Sequence, residues 1–176
     1  ESITTLDGEI DEAGPGDSVV ISLTDEIDVS RGSMLVRSRN RPEAVTRQID
    51  ADLCWMNEEA MRKDRPYVLQ HTTRRTQAYV STVVYRTNVE TFHREEADTF
   101  KLNDIGRVEL ETADPLFIDP YKMNRSTGSF ILIDPDTNDT VAAGMIRGEA
   151  ENVAPYGQDE TVTTEERETS PNVVWE

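Results

Sequence analysis

Two short apolar runs joined by a turn constrain this chain more than any other stretch. Ser129 to Asp134 and Thr140 to Ile146 are separated by Pro135, Asp136, Thr137, Asn138 and Asp139. Proline presets φ, and Asp and Asn bond back to nearby backbone and tolerate unusual φ/ψ, so β-rich runs on either side of them predict a hairpin. Phe130, Ile131, Leu132 and Ile133 make the first run apolar almost throughout, and Val141, Ala142, Ala143, Met145 and Ile146 do the same for the second. Strands of that kind are expected to be covered on both faces, inside a closed barrel or between packed layers.

The rest of the chain reads as β-structure of the same scale. Ile3 to Leu6, Asp17 to Leu23 and Met34 to Val36 have the composition of short strands, punctuated by Gly14, Pro15 and Gly16 and by Arg31 and Gly32. Three short strands cannot close a barrel. They are either the remainder of a β domain that begins before residue 1 or an edge added to the next domain. Residues 37 to 48, rich in Arg and interrupted by Pro42, read as a linker, and Ile49 to Trp55 as a further strand. Asn57 to Lys63 has helix-forming composition but the length of only about two turns. Arg65 to Thr73 and Thr76 to Asn88 predict two strands around a turn at Arg74 and Arg75, the second dense in Tyr, Val and Thr. His93 to Thr99 reads as a loop or single turn, and Gly106 to Thr112 alternates like a strand wet on one side. About nine strands and no long helix predict an all-β body, a barrel or sandwich.

Charge divides the chain into three. Residues 1 to 30 carry −9, residues 31 to 148 carry −1, and residues 149 to 176 carry −7, within a total of −17. The balanced middle is the expected folded body. The last stretch, acidic and without period, reads as a disordered linker until Asn172 to Trp175 turn apolar again. So negative a chain lacks the clustered Lys and Arg that phosphate contacts require, which argues against nucleic acid or anionic membrane as a partner. No apolar segment approaches the ~20 residues that cross a bilayer and no signal peptide opens the chain, so cytoplasm is the expected setting. Cys54 is the single cysteine, and its LCWM context predicts a buried thiol acting as a small hydrophobe.

No motif supplies a self-sufficient active site. A phosphate loop of the G-x-x-x-x-G-K-[ST] type is absent from the sequence, and without one the D-x-x-G string at Asp11 to Gly14 reads as turn chemistry. His71 and His93 stand alone. Pairing Cys54 with His71 would leave a zinc ion short of ligands. Ser81 or Ser129 could be combined with His71 and an Asp on paper, but no strained nucleophile turn accompanies them. Asn124 and Asn138 open N-x-[ST] strings that matter only in a secreted chain. No catalytic, cofactor-binding or metal-binding residue is therefore assigned. The densest polar group is Asp119, Tyr121, Asn124, Arg125 and Thr127, just before the hairpin. It reads either as a loop braced by its own side chains or as a partner-facing loop with Tyr121 and Arg125 as contact residues.

The strings DEIDVSRGSMLV, DLCWMNEEAM, RPYVLQHTT, NDIGRVELET, PLFIDPY and NRSTGSFILIDPDTNDTVAAGMI carry a resemblance that runs in order from about residue 2 to residue 147. Through them the chain resembles the C-terminal part of the large, GTP-binding subunits of bacterial sulfate adenylyltransferase (ATP sulfurylase), relatives of the elongation factor Tu/1A GTPases. In that family a GTPase domain precedes two β-barrels. The resemblance implies that residues 1–40 are the closing strands of a translation-factor-type barrel plus a linker. It implies a complete six-stranded antiparallel β-barrel over 41–148, and over 149–176 an acidic lead-in similar to that of an adenylylsulfate kinase domain. It further implies a role in sulfate assimilation, coupling GTP hydrolysis to adenosine 5'-phosphosulfate synthesis. The partners would be the GTPase domain and a separate small catalytic subunit. GTP and Mg would belong to the GTPase domain, which this sequence does not include, and the segment alone is expected to turn over no substrate. The competing reading is the barrel region of a translation elongation factor-like GTPase that binds tRNA or another protein. A near-neutral barrel with acidic ends lacks the basic stripe that RNA binding needs.

Overall fold

The computed structural model describes residues 2–37, 39 and 41–151, and its contacts cluster into two units divided between Ser33 and Met34. In the first, β1 (Ser2–Thr5), β2 (Gly8–Ile10) and β3 (Val20–Ser22) form an antiparallel sheet in the order β2-β1-β3. Strand β2 was not anticipated. It exists because Leu6 and Asp7 turn the chain and Gly8, the first residue after them, takes φ +129°, beyond easy reach of an L side chain. The strand expected over Asp17 to Leu23 shortens to three residues. The one expected over Met34 to Val36 is irregular, with Leu35 and Val36 exposed.

The second unit is a closed barrel. Its strands are β4 (Ala44–Trp55), β5 (Tyr67–His71), β6 (Arg74–Thr87), β7 (Arg94–Glu95), β8 (Ile105–Ile118), β9 (Ser129–Ile133) and β10 (Thr140–Glu149). Every pairing is antiparallel. The order β5-β9-β10-β4-β8-β6 returns on itself through β5–β6, giving six staves, and β7 only extends the end of β6. The hairpin expected around Pro135 to Asp139 is β9 and β10, with Asp134 and Asn138 bracing its turn and Asn138 at φ 63°.

Several elements depart from the sequence reading for identifiable reasons. Strand β4 begins at Ala44, inside the expected linker, because Ala44, Val45 and Thr46 pair with Ile118, Phe117 and Leu116. A register shift follows between Thr46 and Gln48, where the Thr46 hydroxyl accepts from the Gln48 N–H at 3.1 Å. Residues 57 to 63 form no helix. Their backbone is satisfied tertiarily: the Trp55 indole donates to the Glu59 carbonyl at 2.7 Å, Met61 N–H to the Phe100 carbonyl at 2.8 Å, and Arg62 N–H to the Tyr67 hydroxyl at 2.8 Å. A helix of that length has too few internal bonds to compete. The β5–β6 turn falls on Thr72 and Thr73 instead of the two arginines, with Thr72 at φ 50°. Arg75 instead lies in β6 and donates to Gln70 across the hairpin at 2.9 Å.

The barrel interior is filled by alternate residues of all six staves, among them Leu53, Trp55, Tyr67, Leu69, Val80, Leu110, Leu116, Leu132 and Ile146. Burying each such side chain contributes roughly 1.5–3 kcal/mol. Trp55 and Tyr67 meet edge to face at 5.6 Å between ring centroids. The hairpin is not covered on both faces as its composition suggested: Ile131 is half-buried, Ala143 is exposed and Met145 is 45% exposed. The wall is one sheet thick, so every second residue must face outward.

Gly144 lies under the Phe130 ring, its cross-strand partner, and a Cβ there would come within 2.1 Å of a ring carbon. Gly144→Ala is therefore expected to cost about 1–3 kcal/mol by overpacking, read as a lower denaturant midpoint with unchanged slope. At the hairpin turn, Asp134 accepts from Asp136 and Thr137 N–H at 2.8 and 3.3 Å and pairs with Arg65, which also reaches Asp136 at 3.2 Å. The Asp136 N–H foremost, then the Thr137 N–H and Arg65, outweigh burial and hold the Asp134 carboxyl below the usual carboxylate range. Its contribution is present above the unfolded value of about 3.9 and is lost as pH falls toward the lowered folded value. Asp134→Ala should destabilise the barrel by ~2 kcal/mol at neutral pH. In thermal melts run against pH, the gap between variant and parent should narrow in acid.

A candidate interaction surface

The loop between β8 and β9 is held by its own polar groups. Asp119 accepts from the Glu43 N–H at 2.9 Å and from the Thr127 hydroxyl at 2.6 Å. Tyr121 N–H donates to the Ile146 carbonyl, Asn124 N–H to the Pro120 carbonyl, and Ser126 N–H to the Asn124 side chain. Gly128 closes the loop where no side chain fits, since a Cβ would meet the Tyr121 Cα at 2.4 Å. From inside the barrel the buried His71 Nε2 bonds to the Thr127 carbonyl at 2.8 Å. A carbonyl only accepts, so Nε2 carries the proton.

Bracing and presentation divide between the residues. Asp119, Asn124 and Thr127 brace the loop, whereas Lys122, Met123 and Arg125 are exposed and Tyr121 is half-buried. Arg125 lies over the Tyr121 ring, 5.9 Å from its centroid. Beside the loop, the outer wall of β9, β10 and β4 is hollowed into a groove of about 640 Å³. The registers explain it. Gln70, Ile131, Ala143, Cys54 and Ile105 are successive cross-strand partners along one outward row over five strands. The central pair, Ala143 and Cys54, is small, while Ile131, Ile105 and the neighbouring Met145 are large, so the middle of the row is low. Cys54 is thus half-buried and faces outward, correcting the expectation of a buried thiol.

A second recess, of about 480 Å³, is polar and lined by Glu43, Asp50, Arg107, Arg147 and Glu149 among others. Its cations are committed. Arg107 holds Asp50 through two bonds at 2.7 and 2.8 Å, which raises the guanidinium above its ordinary value, and Arg147 reaches Asp50 at 3.5 Å and Asp52 at 3.1 Å.

Comparison with known proteins agrees with this architecture. The profile of the GTP-eEF1A C-terminal domain-like family matches residues 48–147. The chain belongs to that family. It is 49% identical over 149 residues to the bifunctional enzyme CysN/CysC of Mycobacterium tuberculosis, covering 82% of this chain and 24% of that protein. To the CysN/CysC of Rhodopirellula baltica it is 44% identical, covering 95% and 28%. To sulfate adenylyltransferase subunit 1 of Bacteroides fragilis it is 47% identical, covering 83% and 30%. The chain spans about a quarter to a third of the length of these relatives. A crystal structure of sup35 complexed with GDP shares the fold, with a TM-score of 0.70 at 20% identity over 85% of this chain and 37% of that one.

The remaining sequence candidates are dispersed over the two units. His71 points inward and Cys54 outward, so the wall separates that pair. Ser81 donates to the Glu109 carbonyl and Ser129 to the Arg125 carbonyl, and neither bonds to His71 among the described residues. Asp17 accepts from the Gly14 N–H at 2.7 Å, which makes the Asp11 to Gly14 string part of a turn. Among the described residues no group of three or more His, Cys, Asp or Glu is placed to hold a metal ion, and no helix is long and apolar enough to cross a membrane. The phosphate-loop string that would cradle a nucleotide does not occur in this sequence. The groove itself was not legible in the sequence. Its signal is the cross-strand row, which appears only once register is known.

Removing the Asp119 carboxylate should loosen the loop without opening the barrel. Asp119→Ala is expected to cost about 1–2 kcal/mol and to speed amide exchange at Tyr121 and Asn124, with β6 remaining the better protected element.

Proposed function

We propose that this chain is an accessory segment of a GTP-dependent sulfate adenylyltransferase large subunit, acting in the cytoplasm in sulfate assimilation. The observation that carries the reading is the high identity to relatives of that name and to bifunctional CysN/CysC enzymes, over more than four-fifths of the chain. In this reading GTP and Mg bind to the GTPase domain of a longer protein, and residues 44–149 supply a rigid barrel between that domain and the small catalytic subunit. The segment carries no reaction step of its own. Its contribution is a coupling free energy: if the barrel contacts differ between nucleotide states, the small subunit senses which state is present. An adenylylsulfate kinase domain would follow in the bifunctional form. The near-neutral charge of residues 31 to 148 weighs against the tRNA-binding alternative.

A chimera tests the proposal. The Bacteroides fragilis subunit 1, carrying residues 44–149 of this chain in place of its own matching region, is combined with its small subunit. Adenosine 5'-phosphosulfate formation is then followed with and without GTP. GTP stimulation within a few-fold of the parent is expected, and its loss on deleting the region. A chimera no better than the deletion, despite a folded barrel, would sink the reading.

A further inference from the structure

The groove over β9, β10 and β4 has a composition and a local charge that specify what can fill it. Its floor is apolar, built on Cys54, Ile131, Ala143 and Met145, and sits on the outside of a barrel whose interior is already full. Apolar surface gathered into a concavity and rimmed by polar groups is the usual mark of a contact site. The rim is electrostatically one-sided. Asp52 is the only carboxylate lining it among the described residues, and Arg147 neutralises it at 3.1 Å. Arg125 lies over the Tyr121 ring and has no carboxylate partner among the described residues, and neither has Lys122, which with Tyr121 and Asp52 lines a smaller recess beside the groove. In a chain of net charge −17, this rim keeps unspent positive charge.

We propose that the groove docks a protein segment that seats a bulky apolar side chain over Ala143 and Cys54 and turns a carboxylate toward Arg125. A planar guanidinium prestacked on an aromatic ring presents its donor fork at little further entropic cost, which suits a carboxylate. Tyr and Arg beside a pocket that binding desolvates are also the residue types that dominate binding energy at interfaces. The proposal goes beyond the sulfate-assimilation reading and does not depend on it.

Two short N-acetylated peptides with the same Trp-Leu core, flanked by Glu in one and by Lys in the other, discriminate the outcomes. Each is titrated into the chain labelled with ¹³C at its methionine methyls. The Glu-flanked peptide should shift the Met145 and Met123 signals saturably, with a dissociation constant below about 1 mM, and leave the core Met61 signal in place. Arg125→Glu should weaken that peptide at least tenfold and favour the Lys-flanked one, while Met145→Glu should weaken both. The Met61 signal confirms folding in each variant. Equal binding of the two peptides by the parent would overturn the proposal, as would an absence of saturable shifts. Movement of the Met145 signal on concentrating the protein alone would overturn it too, by pointing to a second copy as the occupant.

Discussion

A five-residue strand holds the barrel shut. Strand β5 bonds to β6 along one edge and to β9 along the other, and without it both neighbours would become open sheet edges. So short a strand gains little from its ladder bonds alone, and each of its inward side chains is secured by something else. Tyr67 packs edge to face with Trp55 and accepts the Arg62 N–H, Leu69 is fully buried, and His71 bonds to Thr127. Arg65, just before the strand, pairs with Asp134 at the end of β9. The closing stave is therefore pinned at its start, its middle and its end.

Closure also decides what the outer surface looks like. Interior volume is limited, so where Phe130 fills space opposite β10 the partner must be Gly144, and one residue along, the outward positions are set by different demands. Small residues at Ala143 and Cys54 leave the wall thin between larger neighbours. The groove is thus a property of register and residue size together. The loop from Asp119 to Gly128 forms one bank, and its backbone is tied to β10 at Ile146 in both directions.

Much of the architecture was legible in the residues. The β9–β10 hairpin announced itself through Pro135 to Asp139, and Thr76 to Asn88 declared a strand through β-branched and aromatic density. What failed did so where long-range partners outweighed local composition. Residues 44 to 48 look like linker because nothing local marks them, yet β8 offers them a ladder. Residues 57 to 63 look helical, yet Trp55, Phe100 and Tyr67 supply better bonds to their backbone. Near-continuous apolarity implies two-face burial of the hairpin, but its outward apolar residues line a groove. The polar loop before β9 was visible as a cluster of Asp, Tyr, Asn, Arg and Thr. Its division into bracing and outward-facing residues required coordinates.

His71 lends this loop a property that its exposed position conceals. The imidazole lies within the barrel, 2% exposed, and its N–H reaches through the wall to the Thr127 carbonyl at the foot of the loop. Were the loop to move away, that buried N–H would lose its acceptor, at a cost of roughly 1–3 kcal/mol. The rim of the groove thus stands on a latch whose keeper is indoors: a visitor that merely rests on the loop leaves it fastened, and one that pries the loop up must first unbolt the core.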